Sequence, residues 1–201
     1  MLVGFALARG RFAGRFLLDA VVNLPLVLPP VVIGWLLLLL LGRHGPLGAW
    51  LYAAFGLRLA FTTAGASLAC GAMIFPQMVR ACRQGLDAVD RGLEQAARTL
   101  GAGPLDCFFS ITLPLAAPGV LVAAIAGYVA ALGEFGAVIT FAANIPGETQ
   151  TLPLAIFSAL QMPGGETLAA RLAMVSVALA LAGLGLSEWA ERRLGRRLGL
   201  R

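Results

Sequence analysis

Residues 24–41 form an apolar run of 18 residues that carries no charged side chain. As a helix it rises about 27 Å, close to the thickness of the hydrocarbon core of a bilayer. Three further runs, at 59–79, 113–143 and 168–186, contain at most one charged residue each. Charged residues make up 12% of the chain, against about a quarter in a soluble domain. The sequence therefore predicts an all-α polytopic membrane protein, a helical bundle with four full spans.

Prolines mark the start of the first of these runs, at Pro25, Pro29 and Pro30. Each proline removes a backbone donor, so we expect the helix to break there, with the freed carbonyl groups facing protein or water. The stretch LVGFALA near the start of the chain resembles the end of another span. We therefore predict a single membrane domain over residues 1–201, with a partial N-terminal span at 1–8.

The distribution of arginine predicts the orientation of the chain. Twelve of the fifteen arginines lie on one predicted side of the membrane, and Arg43, Arg58 and Arg171 lie on the other. The side rich in arginine is expected to be cytoplasmic. Residues 84–112 and the C-terminus are then cytoplasmic, and residues 144–167 are external. The predicted location is the inner (plasma) membrane of a bacterium.

The cytoplasmic segment 84–112 reads as two helices joined by a turn. Asp87 and Asp90 are good N-cap candidates for the first helix. Gly101 and Gly103 lie where this helix should stop, and a left-handed residue is expected at Gly101. Pro104 suits the first turn of the second helix. Phe108 and Phe109 lie on the second helix before the membrane run begins. Apolar residues at helical spacing predict one apolar stripe along the first helix: Leu86, Val89, Leu93, Ala96 and Leu100. An exposed apolar knob of this kind marks either a partner-binding site or an interfacial elbow resting on lipid.

Several functional classes are excluded by what the sequence lacks. No G-x-x-x-x-G-K-[ST] phosphate loop is present, so the chain is not expected to hydrolyse ATP. The three cysteines and one histidine fit no metal-ligand spacing, and we expect neither a metal nor another cofactor. No nucleophile–base pair is visible, so no catalytic residue is predicted. The basic residues are not interleaved with exposed aromatic residues, so nucleic acid is not an expected partner.

A spaced motif in the same segment resembles the EAA loop of ABC importer permeases. Gln95-Ala96-Ala97 is followed by Gly101 and, after nine residues, by Ile111-Thr112-Leu113-Pro114. Gln95 occupies the glutamate position of the motif, and Glu94 precedes it. The resemblance implies a coupling loop that docks on a separate cytoplasmic ATPase. The residues assigned to it are Glu94, Gln95, Ala96, Ala97, Gly101, Ala102, Phe108, Phe109, Ile111, Leu113 and Pro114.

The resemblance extends over nearly the whole chain. The stretches LPLVLPPVVIGWLLLLLLGRHGPLG, LGEFGAVITFAANIPGETQTLPLAIFSAL and MPGGE are similar to molybdate/tungstate permease subunits, with sulfate/thiosulfate permeases as close relatives. This implies a homodimer in the lipid bilayer, two ATPase subunits inside and a periplasmic or extracellular oxyanion-binding protein outside. Such permeases have a further N-terminal span, so a truncated start is expected. The rival interpretation from another class is an ATP-independent channel or secondary transporter.

Two further sites are predicted outside the coupling loop. The external segment carries an apolar patch, Leu152–Leu160, too short to span the membrane, and we expect a short surface helix there. Glu148, Leu152 and Pro153 are its candidate contacts to the outer gate or the binding protein; the alternative is a lid over the bundle. Glu134 and Arg171 lie inside predicted spans at similar heights, which predicts an ion pair or an anion pathway.

Overall fold

A computed structural model describes residues 2–9 and 13–197 of the protein. These residues contain no β-strand, which agrees with the all-α prediction. The α-helices are α1 (Leu2–Arg9), α2 (Arg15–Val27), α3 (Pro30–Leu41), α4 (Pro46–Phe55), α5 (Thr63–Asp87), α6 (Arg91–Thr99), α7 (Pro104–Cys107), α8 (Leu113–Leu132), α9 (Gly136–Phe141), α10 (Leu152–Leu160) and α11 (Glu166–Arg197). A π-helical segment, Phe108–Thr112, joins α7 to α8.

The chain divides into two compact units. The first unit comprises Met1–Val22, Gln77–Gly127 and Ala182–Arg201, and the second comprises Asn23–Pro76 and Tyr128–Leu181. Each unit has buried apolar clusters of its own.

The core of the second unit is built where α3 packs against α9. Phe141 and Leu154 are fully buried there. Gly34 of α3 allows a close approach, because a Cβ at this position would lie 2.6 Å from the carbonyl oxygen of Ala137. Gly136 of α9 provides the same kind of clearance towards Pro30. The two glycines thus explain how these helices come together.

We expect Gly34→Ala to destabilise the second unit. The new methyl group meets backbone and not a flexible side chain, so α3 and α9 must separate, at a cost of about 1–3 kcal/mol. The measurement is the apparent Tm of the purified protein in detergent. Gly71→Ala on α5 is the matched control, because nothing lies within 4 Å of its added Cβ. Equal Tm values for the two variants would contradict the close packing of α3 on α9.

The first unit has two small apolar clusters and an ion pair. Arg83 of α5 donates to Asp19 of α2 over 3.1 Å. This pair and the nearby contacts of α1 hold the helices that lead to residues 84–112. The buried residues of the clusters are Leu7, Val22 and Val79 in one and Leu86, Val89 and Ala116 in the other.

Two described helical stretches are long and apolar enough to cross a membrane. They are Pro104–Leu132, with 29 residues, and Glu166–Arg193, with 28. The pair α3 and α4, bent by 48° at its break, makes a third if it counts as one span. The run at 59–79 corresponds to α5, which has 25 residues but is not among the described helices that qualify by length and composition.

The third predicted span, 113–143, is not one continuous helix. α8 ends at Leu132 and α9 begins at Gly136. After this break, the Glu134 carboxylate accepts a hydrogen bond from the backbone N–H of Ala137 at 3.0 Å and so satisfies a donor in the first turn of α9. The break expected from the prolines of the first run is present at Pro29 and Pro30, because α2 ends at Val27 and α3 begins at Pro30. Pro25, in contrast, lies inside α2.

Candidate functional site

Helix α6 begins and ends with side-chain and backbone caps of its own. The Asp90 carboxylate accepts from the backbone N–H of Gly92 at 2.8 Å, which confirms the predicted N-cap. Gly101 has a φ of +92°, as predicted, and its N–H donates to the Arg98 carbonyl at 3.1 Å. The next N–H, of Ala102, reaches back to Ala97 at 3.0 Å. This pair of bonds is a Schellman motif, which closes the helix sharply.

The second helix of the loop continues into α8 through a wider turn. Pro104 lies in the first turn of α7, as predicted. Instead of restarting at Leu113, the chain stays helical, and the N–H of Leu113 bonds to the carbonyl of Phe108 in π geometry. Pro114 has no N–H to donate to the preceding turn, which favours this rearrangement. The loop therefore continues directly into α8 through the π-helical segment, which we call the root of α8.

Glu94 joins the two helices of the loop. Its side chain is buried, with 9% of the residue exposed. The Thr112 hydroxyl donates to Glu94 Oε1 at 2.8 Å, and the Cys107 thiol lies 3.8 Å from the Glu94 carbonyl oxygen. A buried hydrogen bond to a carboxylate is among the stronger ones in proteins. We call the Glu94–Thr112 bond the clasp, because it fixes α6 to the π-helical root of α8.

The predicted apolar stripe is only half buried. Leu86 and Val89 are buried, but Leu93 is 49% exposed and Leu100 is 89% exposed. Helix α6 is turned so that the Glu94 side chain faces inward to meet Thr112, and the leucines of the same helix consequently face outward. Helical spacing alone does not predict this polar contact, because its partner, Thr112, lies 18 positions later in the sequence.

An exposed apolar surface lies at the end of α6 and on the helical segment that follows it. Leu100, Leu105 and Phe109 are 89%, 73% and 61% exposed, and we call these three residues the knob. Phe108, which the sequence assigned to the knob, is instead half-buried, with its ring centroid 5.1 Å from that of Phe5. It packs against the cluster of Leu86, Val89 and Ala116.

A cleft of about 380 Å³ opens beside the knob. The Ser110 hydroxyl donates to the Asp106 carboxylate at 2.9 Å within it. An open cleft next to protruding apolar side chains is a surface on which a partner side chain can be seated. Its lining residues are Ala97, Leu100, Gly101, Ala102, Asp106, Cys107, Ser110 and Ile111.

The remaining residues predicted for the coupling loop surround the knob or its root. Gln95, Ala96 and Pro114 are exposed, whereas Ala97, Ala102, Ile111 and Leu113 are half-buried. Gln95, which occupies the motif's glutamate position, is therefore exposed, whereas Glu94 is buried and forms the clasp.

The clasp can be tested by a double-mutant cycle. We expect Thr112→Val to lower the free energy of unfolding by about 1–3 kcal/mol, because it removes a donor from a buried carboxylate. Thr112→Ser retains the hydroxyl donor and should keep most of this free energy of unfolding. The coupling energy between Glu94→Gln and Thr112→Val should exceed about 0.5 kcal/mol, measured by unfolding in mixed detergent. Thr99→Val is the control, since its hydroxyl bonds only the Ala96 carbonyl of its own helix; additive effects at Glu94 and Thr112 would rule out the clasp.

Residues 144–167, the segment predicted to be external, contain the short helix predicted there. α10 spans Leu152–Leu160 and packs inward through Leu154, which is fully buried. Leu152 and Pro153 are half-buried, and Glu148 is exposed.

The backbone around Glu148 is held by two threonines. The buried Thr149 hydroxyl accepts from the N–H of Ile145 at 3.0 Å. The Thr63 hydroxyl donates to the Glu148 carbonyl at 2.8 Å. Glu148 is therefore an exposed charge on a well-anchored turn.

Glu134 and Arg171 are not brought together. In the described residues no ion pair joins them, because Glu134 accepts from the backbone N–H of Ala137 and Arg171 lies exposed on α11. The expectation of a pair assumed a continuous helix through 113–143, in which Glu134 has no backbone donor to bind. The break after Leu132 supplies that donor.

Comparison with known proteins places these features in context. Residues 1–196 match the family described as "Binding-protein-dependent transport system inner membrane component". The molybdenum transport system permease protein ModB of Escherichia coli K12 is 54% identical over 96% of this chain and 84% of its own length. ModB of Haemophilus influenzae is 51% identical over 98% of this chain and 86% of its own length. A probable sulfate transport system permease of Nephroselmis olivacea is 34% identical over 90% of this chain and 65% of its own length.

A solved structure supports the fold. The crystal structure of an amino acid ABC transporter with histidines superposes with a TM-score of 0.60, at 20% identity, over 96% of this chain and 84% of that one. At this identity the similarity concerns the fold alone. The family match covers almost the whole chain, and the two ModB relatives are identical to it at about half of the aligned residues. The chain belongs to the family of binding-protein-dependent transport system inner membrane components.

Proposed function

We propose that this chain is the membrane-spanning subunit of an ABC importer for molybdate, and that it acts as a homodimer with two cytoplasmic ATPase subunits. The observation that carries the proposal is the knob, three exposed apolar side chains on a loop that is capped, clasped and continuous with α8. Exposed apolar side chains in such a rigid frame suit a partner surface better than free solvent. The ATP is hydrolysed by the partner, and the chain itself catalyses no reaction.

The loop supplies a mechanical route between the two proteins. When nucleotide draws the ATPase subunits together, a force on the knob passes through the clasp and the π-helical root into α8. A rigid helix of 29 residues, Pro104–Leu132, is about 43 Å long, enough to carry motion across a bilayer. Transport then follows from a two-state equilibrium that nucleotide and the loaded binding protein both bias.

Molybdate is the proposed substrate because the relatives at 54% and 51% identity are named molybdenum permeases. Sulfate is the second candidate, supported by the relative at 34% identity. The test is uptake of radiolabelled molybdate into proteoliposomes that contain this chain, its ATPase and the binding protein. ATP-dependent uptake that unlabelled molybdate or tungstate suppresses, and sulfate does not, supports the proposal. Uptake without ATP favours a channel or secondary transporter, and suppression by sulfate favours the second candidate.

The external turn is proposed to contact the binding protein through Glu148. Glu148→Lys should weaken docking of the loaded binding protein by several-fold at low ionic strength, and less at 1 M salt, where charges are screened within about 3 Å. Docking is measured by surface-based binding to the complex in nanodiscs. Glu188→Lys is the control, since it makes the same change of charge on the predicted cytoplasmic side. Unchanged affinity of Glu148→Lys at low salt removes Glu148 from the interface.

A further inference from the structure

A basic and aromatic surface lies at α4, in the second unit, outside the sites described above. The guanidinium carbon of Arg58 lies 5.0 Å from the centroid of the Tyr52 ring, and that of Arg43 lies 5.5 Å from it. Arg58 also donates to the Tyr52 hydroxyl at 3.2 Å. Two arginines are thus stacked on one ring, a cation–π arrangement that holds both guanidinium groups in place.

The fold produces this arrangement from residues on both sides of α4. Arg43 precedes the helix, and Arg58 follows it. Gly56, with a φ of +68°, closes the helix by donating its N–H to the Tyr52 carbonyl at 2.9 Å. This left-handed closure turns the chain back so that Arg58 reaches the ring.

The two positive charges lack an acidic partner. Residues 43–61 contain no aspartate or glutamate, and in the described part of the chain neither Arg43 nor Arg58 forms an ion pair. Two like charges fixed on one ring repel each other and attract an anion. Guanidinium groups bind phosphate oxygens with two parallel hydrogen bonds.

The surroundings of the pair identify the kind of anion. Leu47, Trp50, Phe55 and Leu57 are each more than half exposed, and the rings of Trp50 and Phe55 meet edge to face at 5.7 Å. Exposed tryptophan and tyrosine beside arginine are typical of the membrane–water interface, where apolar side chains enter the acyl region and charged ones reach the headgroups.

We propose that Arg43, Tyr52 and Arg58 form a binding site for the phosphate of an anionic phospholipid at the external surface of the membrane. Trp50, Phe55 and the neighbouring leucines contact its acyl chains. The lipid anchors α4 in the interface and neutralises the two arginines. This site goes beyond the proposed transport function and does not depend on it.

The experiment uses Trp50 as a local probe in the complete permease–ATPase complex. Trp35 and Trp189 are replaced by phenylalanine, so that Trp50 is the remaining tryptophan of this chain. The complex is placed in bilayers of brominated phosphatidylglycerol or brominated phosphatidylcholine, and quenching of Trp50 fluorescence gives the relative affinity for the two lipids. We expect phosphatidylglycerol to be preferred by about fivefold for each arginine, and high salt to reduce the preference.

The variant Arg43→Gln/Arg58→Gln should bring the preference to about one. Arg192→Gln/Arg193→Gln is the matched control: it removes two arginines from α11, where Arg192 is paired with Glu188, so the preference at Trp50 should be retained. A preference near one in the parent protein, or one that survives in the double variant, overturns the proposal. If the parent shows no lipid preference and the double variant loses affinity for the binding protein, the surface belongs to a protein partner. That result also overturns the proposal of a lipid site.

Discussion

Gly101→Val should reduce ATP hydrolysis stimulated by the loaded binding protein at least tenfold, while the chain stays folded in the membrane. Gly101 has a φ of +92°, and a β-branched residue is strongly disfavoured there, by about 2 kcal/mol. An added Cβ meets no other atom within 4 Å, so we expect the effect to come from the left-handed backbone. The Schellman closure opens, and Leu100 and Leu105 lose their relative position.

The neighbouring glycine provides a matched control for this turn. Gly103 has φ −67° and ψ 164°, an extended conformation that valine adopts readily and that a following proline favours. Nothing lies within 4 Å of its added Cβ. Gly103→Val should therefore keep most of the stimulated hydrolysis. Equal losses in the two variants would show that the turn tolerates no side chain at all and that the left-handed backbone is not the cause.

Local chemistry predicted much of the loop correctly. Asp90 caps α6, Gly101 is left-handed, and Pro104 opens the next helix, because each of these outcomes depends on atoms within a few residues of the one that causes it. The helix at Leu152–Leu160 and the break between Val27 and Pro30 were predictable for the same reason.

The errors come from polar contacts that helical spacing does not encode. The burial of Glu94 depends on Thr112 and turns Leu93 and Leu100 outward. The hydrogen bond of Glu134 depends on the break after Leu132, which leaves a backbone donor free three residues later. In both cases a charged side chain within an apolar pattern was the available signal, since such a residue needs a partner. The sequence identified these charged residues, but the partner could be found only from the tertiary structure.

The second large effect concerns the knob itself. Leu105→Ser/Phe109→Ser removes two side chains that are 73% and 61% exposed, so folding of the chain should be little changed. If both are anchors of the ATPase interface, each truncation costs about 2 kcal/mol or more. The affinity for the ATPase should then fall by at least about thirtyfold. Phe16→Ser/Leu17→Ser is the matched control, since these residues are 87% and 67% exposed on α2.

The affinity of the purified ATPase for this chain in nanodiscs is the most direct test of the proposal that the knob docks on the ATPase. We expect the parent protein and the Phe16/Leu17 variant to bind equally, and the Leu105/Phe109 variant to lose at least thirtyfold in affinity. Undiminished binding of the ATPase by the Leu105/Phe109 variant, with the same variant less tightly associated with lipid, would show that the knob is an interfacial elbow and would contradict its role in coupling.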